Sequence, residues 1–188
     1  MDALLIALLA SGFAEIGDKT QLLALAFAVR FRNDGVVLGG IALATILNCA
    51  LSATAGWLIA DMIGTGARTL FFALPLLFAG IGMWLPVQRP DTVGGWKIGA
   101  FLTTFLAMFI LEFGDKSQFI VAGVAVRTAD PVMSAIGASI GITAAIAPAV
   151  LLRQEFFIRF PLALVRKGAG AVFLLIGALV GLGALGLV

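Results

Sequence analysis

The stretch Glu15–Gln21, EIGDKTQ, places three charged side chains in the middle of an otherwise apolar run. A closely similar stretch, EFGDKSQ, occupies Glu112–Gln118, 97 positions later, with five identities and a threonine-to-serine match. We call these the first and the second motif. A charge at the centre of a membrane costs at least about 2.5 kcal/mol, so ionisable residues there are functional by default. The doubled motif therefore predicts two related halves that share one functional site.

The composition predicts an all-α integral membrane protein. The chain is 62% hydrophobic and 12% charged with a mean hydropathy of +1.15, whereas soluble domains have roughly 25% charged residues. A bilayer core takes about 20 helical residues. Residues 3–29 and 98–126 qualify apart from the motif that each contains. Four further stretches have this length and no formal charge: Val36–Ala60, Thr69–Gln88, Pro131–Leu152 and Gly168–Val188. We expect six transmembrane helices, the lipid bilayer as partner and no nucleic-acid partner.

The spans divide into two repeats of three. We expect a first three-helix repeat at 1–88, a cytoplasmic linker at 89–97, rich in Pro, Gly and charge, and a second repeat at 98–188. An odd number of spans per repeat places the second copy upside down relative to the first. Such inverted repeats occur in many secondary transporters, whose binding sites lie at the midplane between the repeats.

The basic residues of the loops predict the orientation. Outside the motifs, the loops after spans one, three and five hold eight Lys and Arg residues, and the loops after spans two and four hold two. The positive-inside rule then puts both termini outside the cytoplasm. The segment 153–167 mixes basic and bulky apolar residues, and we expect it to lie along the cytoplasmic interface. The N-terminus carries Asp2 in place of a basic region, so we expect it to be no secretory signal.

Helical spacing predicts how each motif is presented. On a continuous helix Glu15, Asp18 and Gln21 share one face, and Lys19 lies one turn after Glu15. The second motif repeats this arrangement. The central glycine, Gly17 in the first motif, has two possible roles. It could bring two helices into close contact, or it could break the helix at a binding site.

Two such faces at one repeat axis form a cluster of formal charge −2 when every group is ionised. Oxygen ligands without thiolate or imidazole favour hard ions such as Mg²⁺, Ca²⁺ or Mn²⁺. Burial and mutual repulsion favour protonation of the same carboxylates, so protons and the ion would compete. The cluster comprises the proton-coupling acids Glu15, Asp18, Glu112 and Asp115, the amides Gln21 and Gln118, the hydroxyls of Thr20 and Ser117, and Lys19 and Lys116.

Two alternatives concern the polar residues in and near the motifs. Glu15 with Lys19, and Glu112 with Lys116, could be structural pairs within one helix. The lysines themselves could be counter-ions that hold the carboxylates in the empty state, or they could act directly. Polar residues of the second and fifth spans could supply further ligands or bond across helices. These residues are Asn48, Thr45, Ser52, Thr54, Ser139 and Thr143.

The doubled E-x-G-D-[KR]-[ST] pattern resembles the small family of cation/proton antiporters that includes Golgi manganese and calcium transporters and bacterial manganese exporters. Both copies match fully, at Glu15, Gly17, Asp18, Lys19 and Thr20, and at Glu112, Gly114, Asp115, Lys116 and Ser117. The resemblance covers essentially the whole chain. It implies that the acidic residues bind the transported Mn²⁺ or Ca²⁺, that the ion is exported in exchange for protons, and that no prosthetic group is needed. The size and the apparent lack of a targeting segment favour a bacterial cell (inner) membrane.

The motifs are also compatible with other functions. A divalent-cation channel could use the acidic cluster for selectivity. An amino-acid exporter would not explain four convergent carboxylates. An intramembrane enzyme is least favoured, because the spans contain no His and no Arg-rich phosphate pocket. Gly177 and Gly181 form a small-residue pair that could pack within the protomer or in a homodimer.

Overall fold

The chain folds almost entirely into α-helices. A computed structural model describes residues 1–187, and Val188, the last residue of the predicted sixth span, lies outside the described residues. Residues 1–187 contain no strand and nine helices. In order these are α1 (Asp2–Glu15), α2 (Lys19–Phe31), α3 (Asp34–Ala60), α4 (Thr65–Gly82), α5 (Ala100–Glu112), α6 (Lys116–Thr128), α7 (Pro131–Leu151), α8 (Gln154–Arg159) and α9 (Leu162–Ala184). The all-α class is confirmed.

Four helices are long and apolar enough to cross a membrane. They are α3, α4, α7 and α9, with 27, 18, 21 and 23 residues. Each contains most of one of the uncharged stretches predicted as spans. Their outward faces expose large apolar side chains such as Leu58, Phe78, Ile140 and Leu175, which suits contact with lipid. Multi-pass insertion into a membrane follows from these helices.

The start of α9 differs from the prediction. The helix begins at Leu162, whereas the uncharged stretch begins at Gly168. The predicted interfacial segment therefore contains α8 and the first turns of α9. Arg166 can lie inside the helix because its guanidinium donates hydrogen bonds to the carbonyl oxygens of Gly82 and Leu85 at 2.8 and 2.7 Å.

Each motif interrupts a predicted span, which consists of two separate helices. α1 ends at Glu15 and α2 begins at Lys19, and the three residues between them are not helical. Gly17 has φ +71°, and its counterpart Gly114 has φ +75°, a region that glycine enters without the steric cost of a Cβ. The expectation of one continuous helical face is therefore wrong for both motifs. Of the two roles considered for the glycine, the break is the one observed.

The two halves of the chain interlock around these breaks. α1 packs along α7, and in the corresponding way α5 packs along α3. α3 and α7 also contact each other, and α4 pairs with α9. The contacts are close: a Cβ at Gly141 would overlap the Leu8 backbone, and one at Gly56 would overlap the Ala122 backbone. The two motif glutamates, Glu15 and Glu112, are thereby buried in the interior, whereas Phe113 and Gly114 of the second motif are exposed.

Candidate divalent-cation site

Two ion pairs join the motif of one half to the motif of the other. Lys116 Nζ donates to Asp18 Oδ2, and Lys19 Nζ lies 2.9 Å from Asp115 Oδ1. Lys116 Nζ also lies 3.4 Å from Asp115 Oδ2. The side chains of Lys116 and Asp18 are only 15% and 9% exposed. Each lysine thus neutralises an aspartate of the opposite half.

The alternative pairing within one helix does not occur among the ion pairs of residues 1–187. Glu15 is the last residue of α1 and Lys19 the first of α2, and Glu112 and Lys116 stand in the same relation across the second break. The four-residue spacing brings two side chains together only on a continuous helix. Because the helix is broken, each lysine can pair with an aspartate of the other motif instead.

The two glutamates have neutral hydrogen-bond donors. Glu15 is fully buried, and Thr20 Oγ1 donates to its Oε2 at 2.5 Å. Its other oxygen, Oε1, is buried without a hydrogen-bond partner in the described part of the chain. Glu112 is 2% exposed and accepts from Thr45 Oγ1 and Asn48 Nδ2, both at 3.4 Å. A buried carboxylate oxygen without a partner is costly, so Glu15 Oε1 is suited to a ligand.

Three carboxylates from the two motifs converge. Glu15, Asp18 and Asp115 each offer an oxygen, and these oxygens lie within 4.8 Å of one another. Hard divalent cations bind oxygen at about 2.0–2.6 Å, so two oxygens on one ion are at most about 5 Å apart. The donor set and its spacing therefore fit such an ion. Glu112 lies outside this group of three.

The sequence matches the family model described as "Divalent cation/proton antiporter GDT1" over residues 3–92 and 100–186. These two segments span most of the chain and include both motifs. The chain belongs to the GDT1 family. The resemblance noted from the motifs is thereby confirmed, and the chain is a divalent-cation transporter by family.

A relative of this GDT1-family chain comes from Vibrio cholerae serotype O1 and is described as a "Putative manganese exporter". It is 34% identical over an alignment of 180 residues, and the alignment covers 93% of this chain and 88% of the relative. No solved structure matches the chain.

The motif glutamines of the GDT1-family chain lie at the helix breaks. Gln21 Oε1 accepts the backbone N–H of Gly17 at 2.8 Å, and Gln118 Oε1 accepts that of Gly114 at 2.9 Å. Gln21 also donates to the Ala145 carbonyl of α7 at 2.6 Å. Both amide oxygens thus satisfy the backbone of the break, although each carbonyl keeps a second lone pair. These bonds hold the two loops in shape.

Some of the predicted polar neighbours reach the site and others do not. Thr20 and Ser117 of the motifs are buried. Thr45 and Asn48 reach Glu112, as described above, and Asn48 Oδ1 remains buried without a partner in the described residues. Ser139 instead donates to the Ala135 carbonyl of its own helix at 2.7 Å.

Sequence reasoning missed one residue beside the GDT1 motifs. The side chain of Arg166 lies against the first break: a Cβ built on Gly17 would be 3.2 Å from Arg166 Cδ. In the sequence Arg166 counted only as one of the basic loop residues. The sequence feature that could have revealed it is its equivalence to Arg68, since each arginine lies near the start of the last long helix of its half.

Proposed function

We propose that this chain exports a divalent metal cation from the cytoplasm in exchange for protons, with Mn²⁺ as the first candidate and Ca²⁺ as the second. The observation that carries the proposal is the convergence of three carboxylates from both motifs within 4.8 Å. The family supports a divalent cation and a proton as the exchanged species. The description of the Vibrio relative supports manganese.

The proposed ligands are oxygen atoms of the two motifs. Glu15, Asp18 and Asp115 are already close enough to share an ion, and Glu112, which lies outside this group, would have to move to join them. Gln21 and Gln118 support the loops and can offer a second lone pair. Sulfur and imidazole are missing from the motifs, which favours Mn²⁺, Ca²⁺ or Mg²⁺ over softer metals.

The charge of the cluster supports an exchange of one ion for two protons. Lys19 and Lys116 neutralise two of the four motif carboxylates. One divalent cation would neutralise the remaining two, and so would two protons. Uncompensated charge is costly where the dielectric constant is low. The metal-loaded and the doubly protonated cluster would therefore both suit the membrane interior, whereas the empty ionised cluster would not. The resulting exchange moves no net charge.

Competition for the same oxygen atoms would couple the two fluxes. A metal ion requires deprotonated carboxylates, so its binding releases protons and protonation expels it. Glu15, Asp18, Glu112 and Asp115 are the proposed proton acceptors, since the motifs contain no other acidic group. The site would face each side of the membrane in turn.

The proposed architecture consists of six spans in two inverted repeats, 1–88 and 98–188, joined by the linker 89–97. Apart from the short α8 of the second half, the two halves have the same helix order, a broken helix followed by two long ones, and each packs its broken helix on the other half. Both features support the repeat. The eight-to-two bias of loop charges supports insertion in the cell (inner) membrane with both termini extracytoplasmic.

Ion uptake into proteoliposomes tests the function and its alternative. Vesicles with an acidic lumen should accumulate Mn²⁺ while the lumen loses protons, and vesicles without a pH gradient should accumulate far less. Ca²⁺, Mg²⁺ and Zn²⁺ offered in parallel would establish selectivity. Asp91→Asn, which alters the exposed linker, is the control variant. A divalent-cation channel would give flux that ignores the pH gradient and follows the membrane potential.

A further inference from the structure

The paired helices α4 and α9 meet the two motifs in different registers. At the first break, a Cβ on Gly17 would lie 3.2 Å from Leu162 O and 3.2 Å from Arg166 Cδ, so the first turns of α9 cover this loop. At the second break, a Cβ on Gly114 would have no neighbour within 4 Å among residues 1–187. The second motif instead faces the middle of α4: Lys116 lines a cavity with Phe71, Leu74, Pro75 and Phe78.

Arg68 and Arg166 occupy equivalent positions but make different contacts. Arg68 is the fourth residue of α4, and Arg166 is the fifth residue of α9. Arg166 lies against the first break and bonds the end of α4. Arg68 donates to Ile63 O at 3.2 Å and lies 3.7 Å from the exposed Asp61. Arg166 thus supports the loop of the first motif, whereas Arg68 does not contact the loop of the second in the same way.

The helix contacts show the same asymmetry. α4 packs along α6 and α9 touches α1, whereas the equivalent pairs, α9 with α2 and α4 with α5, make at most marginal contact. The Arg127 guanidinium lies 4.9 Å above the Phe72 ring in the α4–α6 contact. The α4–α9 pair is therefore displaced toward α1 and α6. Seven residues separate Arg68 from Pro75, which corresponds to roughly 10 Å of helix.

We propose that the α4–α9 pair adopts two registers and that Arg166 and Arg68 are positioning residues that act in turn. In one register Arg166 supports the loop of the first motif, and in the other Arg68 supports the loop of the second. A slide of roughly 10 Å toward α2 and α5 would bring Arg68 against Gly114 and withdraw Arg166 from Gly17. The loop that is braced would keep its carboxylates in place, and the other would be free to exchange the ion. The proposal rests on the inverted repeat of the proposed function.

Disulfide trapping tests the two registers in a Cys49→Ala background. The Cβ of Arg166 lies 3.4 Å from the position of a Cβ on Gly17, about the Cβ separation of a disulfide. Gly17→Cys with Arg166→Cys should therefore cross-link. Arg68→Cys with Gly114→Cys should also cross-link, in the molecules that adopt the second register. A protease site in the exposed linker near Asp91 reports both cross-links. After cleavage and denaturation, only a disulfide holds the two halves together.

Control variants separate the proposed contact from collision and from misfolding. Arg68→Cys with Arg166→Cys should not cross-link, since these residues lie at opposite ends of an antiparallel helix pair. Cysteine at either motif glycine is strained by the positive φ. The preceding residues Ile16 and Phe113, with φ −65° and −63°, provide unstrained substitutes.

A further variant separates a positioning role from a structural one. Arg166→Ala, added to the Arg68→Cys/Gly114→Cys pair, should raise the cross-linked fraction several-fold because the first register loses its brace. A variant that only loosened the fold would lower that fraction. Cross-links at the first break alone, no cross-link at either pair, or equal cross-linking of the control pair would each overturn the inference. Mn²⁺/H⁺ exchange by the Cys49→Ala parent is measured separately. Its absence, with the cross-links as expected, would contradict only the proposed function.

Discussion

The ammonium group of Lys116 bonds the carboxylate of Asp18, which lies 98 positions earlier in the other half of the chain. The reciprocal pair, Lys19 with Asp115 at 2.9 Å, crosses in the opposite direction. Neither half can therefore complete the cluster alone. The two lysines stand beside the aspartates where a bound cation would have to compete with them.

Breaking the ion pair between Lys116 and Asp18 should destabilise the protein, and the losses from the two single substitutions should not be additive. Lys116→Met leaves Asp18 buried and unpaired, and we expect a loss of about 3 kcal/mol in the free energy of unfolding. The double variant Asp18→Asn/Lys116→Met should lose less than the sum of the single variants. Unfolding of the detergent-purified protein measures this. The exposed pair Glu155–Arg159 is the control and should contribute less than about 1 kcal/mol. Strictly additive losses at Asp18 and Lys116 would contradict the pairing.

Amide substitutions should separate the three converging carboxylates from the fourth. Glu15→Gln, Asp18→Asn and Asp115→Asn each remove a charge from the group of three, and Mn²⁺ affinity should fall at least about tenfold. Glu112→Gln should weaken binding less, since Glu112 lies outside that group. All four should abolish coupled transport while the protein remains folded. Calorimetry and proteoliposome flux provide the two readouts. Full transport by all four variants would return the motifs to a structural role.

Acid should weaken metal binding. As the pH falls from neutral toward about 5, protons should displace the ion, because only deprotonated carboxylates bind it. The charge of the cluster predicts two protons released for each ion bound. Calorimetry in buffers of different ionisation enthalpy counts them. A count of zero at every pH, together with transport that ignores a proton gradient, would favour the channel.

Alanine at the two motif glycines should have unequal effects. Gly17→Ala and Gly114→Ala share the strain of a positive φ, about 1–2 kcal/mol. Only Gly17→Ala adds a close contact, because its Cβ would meet Leu162 and Arg166, whereas none of the residues that the structure describes lies within 4 Å of a Cβ on Gly114. We expect the lower melting temperature for Gly17→Ala. Equal melting temperatures would show that a Cβ at Gly17 causes no destabilising contact with α9.

Cysteine labelling should report the orientation of the spans. In a Cys49→Ala background, Arg32→Cys and Arg159→Cys should react with impermeant reagents from the cytoplasmic side, and Thr65→Cys should react from outside. The expectation rests on three spans per repeat and on the basic loops. Labelling of Arg32→Cys and Arg159→Cys from opposite sides would rule out the six-span inverted arrangement.

The sequence alone was sufficient for the membrane class and the four long helices, and it singled out the two charged motifs as the candidate site. Helix length and hydropathy are local properties, so Val36–Ala60 and Pro131–Leu152 could be predicted close to their observed bounds. The charged motifs were equally visible, because a charge in an apolar run has few structural explanations. The glycine of each motif indicated either a close contact between helices or a break in the helix, and residue spacing did not distinguish the two.

Only the tertiary structure decided which groups of the motifs meet. Helical spacing paired Glu15 with Lys19, but the turn at Gly17 separates them and directs Lys19 to Asp115. The bonds from Thr45 and Asn48 to Glu112 and the contact of Arg166 with Gly17 also join distant parts of the chain. Such contacts depend on where each helix breaks and how α3, α7 and α9 pack. A change of one residue in register moves a side chain by about 100° around its helix, so local pattern determines the helices, and packing between the two halves determines the site.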